Sequence, residues 1–203
     1  MRPLAILAAL PLAALAGDSQ WELANEEDDF ELKVYTREKA GTDVAEVKAV
    51  CKIPAPVEKI WQAINDLDNY KDFMPYTEVS KTLEKKGDSI FWYTVINAPL
   101  VSRRDYCLEL KPEKPKDPNG TWKSSWKVCG NRADIPKSEH VRITRNNGYW
   151  LLTPADGGKA TQVEYLVDTD PGGSIPAWIR NKANTKAIPD LMEAVAKRAG
   201  VQL

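Results

Sequence analysis

Residues 168–199 read DTDPGGSIPAWIRNKANTKAIPDLMEAVAKRA, and this stretch decides the fold. It joins an alternating run at 161–169 to a long helical pattern through a Pro171-Gly172-Gly173 corner. Paired glycines reach backbone angles closed to other residues, so the chain can reverse sharply there. Beyond the corner, Trp178, Ile179, Ala183, Ala187, Ile188, Leu191, Met192, Val195 and Ala199 recur at steps of three and four. That spacing predicts one helix with one apolar stripe. Arg180, Lys182, Lys186, Asp190, Glu193 and Lys197 fall mostly off the stripe. Pro189 cannot donate to the carbonyl four residues back, which predicts a kink or break near 185–188. A helix with one greasy face must cover something. The rest of the chain is mostly strand-like, so a curved sheet is the expected partner.

Upstream, residues 21–29 are acidic and read as a short helix. Phe30, Leu32 and Val34 alternate with Glu31, Lys33 and Tyr35, and 45–53 alternate with a small-residue face, which predicts two strands. Pro54-Ala55-Pro56 ends the second strand. Val57, Ile60, Trp61, Ile64 and Leu67 then recur at helical spacing, with Pro56 suited to the first turn. Strands follow at 79–83, 90–96, 102–110, 121–129, 140–145, 149–153 and 161–169. Gly87-Asp88 is the turn before 90–96, and Asn146-Asn147-Gly148 reads as a hairpin. The 90–96 strand is apolar on both faces, so both need cover. The order defines an α+β fold with one antiparallel sheet and one domain.

The chain has 203 residues, 43% hydrophobic and 28% charged, with a net charge of −1, as expected of an ordinary globular domain. No basic block is present to track phosphates, so nucleic acid is not an expected partner. Arg2, an apolar run at 4–15 and Ala14-Leu15-Ala16 match a secretory signal cleaved after Ala16. The mature domain then spans 17–203, in the periplasm or outside the cell. Cys51, Cys107 and Cys129 leave one thiol over in an oxidising compartment. Cys107 and Cys129 are the pair whose separation suits neighbouring strands.

Several short motifs carry a resemblance. They are VYTR at 34–37, APVEKIW at 55–61, FMPY at 73–76, SRRD at 102–105, VRI at 141–143, GYWLLTP at 148–154 and DPGGSIPAW at 170–178. In that order and spacing the chain resembles the StAR-related lipid-transfer (START) domains, bacterial single-domain members of the helix-grip superfamily. The resemblance spans nearly all of the mature chain. It implies a curved sheet gripping the C-terminal helix, with a tunnel between them for a lipid or sterol-like molecule. It also implies a monomer that makes transient membrane contact. By position, the gate would be residues 97–101 (NAPLV), with Pro99, Leu100 and Val101 at its tip, plus the first half of the helix, with Trp178 at the mouth and Ala183, Ala187 and Ile188 behind it. Phe73, Met74, Trp92, Trp126 and Trp150 are the further candidates for the lining.

Arg103, Arg104 and Asp105 are the charges of most interest. In a strand, 103 and 105 share one face and 104 takes the other. A buried member of this trio is either a polar anchor for a lipid head group or part of an internal ion pair holding the sheet to a loop. Nucleophilic chemistry has little to build on, with one histidine, His140, and no Gly-x-Ser-x-Gly elbow. No metal-ligand spacing exists and no cofactor is expected. The reading is an exported lipid-binding domain. The alternative is an enzyme of cyclase, aromatase or hydrolase type on the same fold, which fold alone leaves open.

Overall fold

The computed structural model describes residues 20–202 apart from 100, 174 and 176, with the backbone alone for 177–184. Residues 1–16, read above as a secretory signal, lie outside the described residues. In chain order the elements are β1 (Glu22–Glu27), β2 (Leu32–Arg37), β3 (Glu46–Ile53), α1 (Val57–Asn65), α2 (Tyr70–Phe73), β4 (Thr77–Lys86), β5 (Ser89–Ile96), β6 (Arg104–Glu113), β7 (Trp122–Val128), β8 (Val141–Arg142), β9 (Arg145–Ala155), β10 (Ala160–Asp170) and α3 (Ala177–Arg198). The strands form a single sheet in the order β1-β2-β3-β10-β9-β7-β6-β5-β4. Neighbours along this path are antiparallel, and β8 adds a short parallel pair to β6. The α+β arrangement of one open antiparallel sheet and a long C-terminal helix is the one expected from the 168–199 stretch.

One face of the sheet, the inner face, receives both long helices. From α1 come Val57, Ile60, Trp61, Ala63 and Ile64, all buried. From α3 come Ile188, Met192, Val195 and Ala196. The inner face of β3 carries Val47, Ala49 and Cys51, and these small side chains let α3 approach closely. The Cys51 thiol lies 3.8 Å from the Met192 sulfur. Burial pushes the Cys51 thiol up to about 12, so it packs as a small apolar group. β5 is covered on both faces, as its composition required. Trp92 faces inward beneath the α1–α2 connection, and Phe91 faces outward beneath Arg132, whose guanidinium sits 4.1 Å from the ring centroid.

Three sequence expectations are corrected. Residues 22–27 form edge strand β1, not a helix, because pairing with β2 overrides an acidic stretch with no apolar period. Asn146-Asn147-Gly148 is no hairpin. β9 runs straight through it from Arg145 to Ala155, paired with β10 throughout. Gly148 is needed for space, since a Cβ there would lie 2.4 Å from Trp126 and 2.1 Å from the Leu166 carbonyl oxygen. Finally, Pro189 brings no break: of the expected kink or break, α3 excludes the break by running on from Ala177 to Arg198. Burial of Ile188 on one side of the proline and of Met192 and Val195 on the other holds the helix together where local propensity would end it.

Candidate functional site

A cavity of about 150 Å³ lies between the inner face of the sheet and the helices. Alternation along each strand decides which side chains reach it. Trp92 and Ile96 come from β5, and Tyr106, Leu108 and Leu110 from β6. Next along the sheet are Ser124 and Trp126 from β7, Asn146 and Trp150 from β9, and Tyr165 from β10. The helical side supplies Ile64, Leu67, Tyr70, Met74 and Leu191. Pro75 and Thr77 close one end. Among the described residues, no lining side chain carries a formal charge.

The aromatic rings pack on one another. Tyr165 lies 4.5 Å from Trp150 and 5.6 Å from Trp126. Trp92 lies 5.3 Å from Tyr70 and 6.2 Å from Tyr106. Most polar atoms in the wall are satisfied locally. The Trp92 indole donates to Ser80 Oγ at 2.9 Å and to the Leu67 carbonyl at 3.2 Å. The Tyr70 hydroxyl donates to the Ile64 carbonyl at 2.6 Å. The Trp126 indole donates to Asn146 Oδ1 at 2.9 Å. Among the described residues, the hydroxyls of Tyr106 and Tyr165 and the Nδ2 group of Asn146 have no hydrogen-bond partner. Burial pushes the phenols of Tyr70, Tyr106 and Tyr165 well above the ordinary tyrosine range. For Tyr70 and Tyr165 the neighbouring phenols add to the shift.

The 103–105 trio divides three ways. Arg103 is exposed and pairs with Glu78 at 2.7 Å. Arg104 is buried on the inner face but outside the cavity wall. It donates through Nε to the Pro171 carbonyl at 3.2 Å, and through Nη1 to the Ser102 carbonyl. It therefore ties the start of β6 to the corner that leads into α3. Asp105 is fully buried and faces outward. It accepts from Arg142 at 2.7 and 2.9 Å, from Ser138 at 2.6 Å and from Tyr93 at 2.9 Å. Burial pushes the Asp105 carboxyl up, but these bonds outweigh it and hold the group below the ordinary carboxylate range. Of the two readings of the trio, the geometry matches the internal ion pair holding sheet to loop. The Cys107–Cys129 disulfide lies on the same outer face, with a Cα separation of 5.4 Å.

Of the other sequence candidates, Met74, Trp92, Trp126 and Trp150 meet in the cavity. Phe73 packs beside Tyr70, 5.3 Å between centroids, without reaching the cavity. Ile188 belongs to the solid core and Ala187 is half-buried beside it. Pro99 is exposed and Val101 is partly exposed. Leu100 and the side chains of Trp178 and Ala183 lie outside the described residues. Tyr70, Tyr106, Ser124, Asn146 and Tyr165 were not singled out from sequence, although strand alternation places Tyr106 on the face of Leu108 and Leu110.

At the rim, Tyr76 holds a left-handed backbone, φ 60°. For a bulky side chain this costs about 1–3 kcal/mol and tends to mark functional sites. Its carbonyl accepts from the Asn97 N–H at 2.8 Å, and its hydroxyl lies 3.4 Å from Asp190 of α3. Tyr76 thus links the 97–101 loop to the helix that roofs the cavity.

A family model described as polyketide cyclase / dehydrase and lipid transport matches residues 53–196, and the chain belongs to that family. It is 31% identical over 191 residues to the uncharacterized protein PA1579 of Pseudomonas aeruginosa, covering 91% of this chain and 90% of that one. It is 24% identical over 193 residues to human phosphatidylcholine transfer protein, covering 94% and 88%. Among solved structures it superposes on a STAR-related lipid transfer protein fragment from Xanthomonas axonopodis with a TM-score of 0.77. That match is at 24% identity and covers 88% of this chain and 98% of the other. The START-type helix-grip fold is thereby shown. The family holds both lipid-transport proteins and cyclases.

Proposed function

We propose that this protein is exported and carries a lipid by enclosing it between the inner sheet face and α3. The observation that carries the reading is the uncharged, aromatic-walled cavity at that junction. Enclosing roughly 300 Å² of apolar ligand surface is worth about 7 kcal/mol. Among the described residues, the lining supplies no carboxylate, imidazole, thiol or amine, and burial pushes its phenols above the ordinary tyrosine range. Acid–base turnover would have no proton carrier there, which favours carriage over catalysis.

The cavity is smaller than the roughly 300–1,000 Å³ of sites for drug-sized ligands. Loading therefore requires the roof to lift, with Leu191 and the first half of α3 moving away from the sheet. The Tyr76 link between the 97–101 loop and α3 is the contact that must part, and we assign it the role of a latch. The apolar segment at 4–15 with its Ala14-Leu15-Ala16 site supports export, as does a disulfide suited to an oxidising compartment. We take the working unit to be a monomer that meets a membrane only to load or unload.

Native mass spectrometry of the protein purified from its own host is the test. A co-purifying lipid, with the N-terminus at Gly17, is the expected result. An empty protein that takes up no lipid from vesicles would overturn carriage. Chemical conversion of the bound molecule would move the protein to the cyclase side of its family.

A further inference from the structure

The cavity holds a specific set of unspent polar groups. Asn146 Oδ1 faces the Trp126 indole, which can only donate, so the orientation of the Asn146 amide is fixed and its Nδ2 group remains as a donor. The hydroxyls of Tyr106 and Tyr165 are two more donors without an acceptor among the described residues. Each is carried by a ring packed against tryptophan, which fixes where its hydroxyl opens into the cavity. Arg104, buried on the inner face, spends its bonds on the Pro171 and Ser102 carbonyls, outside the wall.

We propose that the ligand is an uncharged lipid whose polar end is a hydrogen-bond acceptor, held by the hydroxyls of Tyr106 and Tyr165 and the amide of Asn146. This rests on the carriage reading above and names the chemical class that the site takes. A phosphate or a carboxylate drawn into this wall would find donors but no countercharge among the described residues, and an unpaired buried charge is costly. A choline group would need open aromatic faces. Here Tyr165 packs against both Trp126 and Trp150, and Trp92 against Tyr70 and Tyr106, so the rings do not stand apart as a cage. An ester carbonyl or a lone hydroxyl satisfies the spare donors and brings no charge with it. A diacylglycerol is the simplest lipid that presents both.

The experiment compares a diacylglycerol with phosphatidylcholine and phosphatidylglycerol carrying the same acyl chains, so that only the head group differs. The mature protein is incubated with mixed vesicles of the three and analysed by native mass spectrometry. Tryptophan fluorescence gives the affinities, since Trp92, Trp126 and Trp150 line the cavity. The diacylglycerol is expected to bind at least about tenfold more tightly than either phospholipid. Tyr106→Phe and Tyr165→Phe, which keep the rings, should each weaken it about three- to tenfold while leaving the melting curve close to the parent. Equal or tighter binding of a phospholipid would overturn the proposal and leave carriage standing. So would unchanged diacylglycerol affinity in both variants. Failure to bind any of the three, or any other lipid, would remove the carriage reading as well.

Discussion

Asp105 and Tyr106 are neighbours on one strand and live under opposite rules. Asp105 points out of the sheet and is fully buried, and its carboxylate takes four hydrogen bonds from Arg142, Ser138 and Tyr93. Tyr106 points inward, is only half-buried, and its hydroxyl opens into the cavity with no hydrogen bond among the described residues. The outer site is a closed structural knot, backed by the Cys107–Cys129 bridge and the loop that Arg142 anchors. The inner site has capacity left over. Satisfied burial marks architecture, and unpaired polar atoms that open into a void mark a place for a guest.

The sharpest way to break this contrast is Asp105→Asn. It weakens the hydrogen bonds from Arg142, Ser138 and Tyr93 while Arg142 keeps partial access to water, and should cost about 1–3 kcal/mol in urea unfolding. Lipid affinity of the folded protein should stay unchanged. The native carboxyl is held below its unfolded value of about 3.9, so its stabilisation is present above that pH and is lost as pH falls through the native value. The acid limb of the parent stability curve should therefore flatten in the variant. A loss of lipid binding in folded Asp105→Asn would contradict the division of labour between the two faces.

Reducing the Cys107–Cys129 bridge comes next. Its 22-residue separation predicts a loss of about 3 kcal/mol. Unfolding with and without reductant measures it. As with Asp105, the folded fraction should load lipid normally, because the bridge faces away from the cavity.

Gly148→Ala reverses the pattern. The added methyl collides with the Leu166 carbonyl and with Trp126. The backbone oxygen cannot retreat, so Trp126 must move into the cavity and away from Asn146. Stability should fall by about 1–3 kcal/mol, the usual range for overpacking. Lipid uptake should fall at least about tenfold, a far larger effect than in the outer-face variants. Normal uptake with the same stability loss would show that Trp126 is not part of the binding wall.

This glycine also shows where sequence reading reaches its limit. Asn-Asn-Gly is a good turn signal, and only the collision with a tryptophan more than twenty residues away reveals it as strand. The helix of 168–199, the Gly87-Asp88 turn and the two-sided burial of β5 were legible because each is encoded within a few residues. The acidic edge strand β1 was not, since its structure comes from pairing with β2. The cavity was half legible. Tryptophans attract notice by size, so Trp92, Trp126 and Trp150 were found. Tyr106 and Tyr165 look like ordinary core until the absence of a partner for each hydroxyl is seen, and partners are a property of three dimensions. The charges of 103–105 allowed either a ligand anchor or an internal ion pair, and the sheet spends Asp105 on the outer loop and Arg104 on the Pro171 corner.

The smallest expected effect lies at the rim, where the two faces meet. Tyr76 stores left-handed strain and bonds both the Asn97 loop and Asp190. Tyr76→Gly removes the strain but adds freedom to the unfolded chain, and the two terms nearly cancel. The melting curve should therefore move by less than about 1 kcal/mol in either direction. The hydroxyl contact to α3 is lost all the same, so the roof is freer to lift. Lipid exchange between vesicles should quicken several-fold while equilibrium affinity hardly changes, because a latch raises the barrier to both entry and exit. Stopped-flow transfer of a fluorescent lipid separates the two. If exchange keeps its parent rate, the strain at Tyr76 serves the loop alone and the gate lies elsewhere along α3.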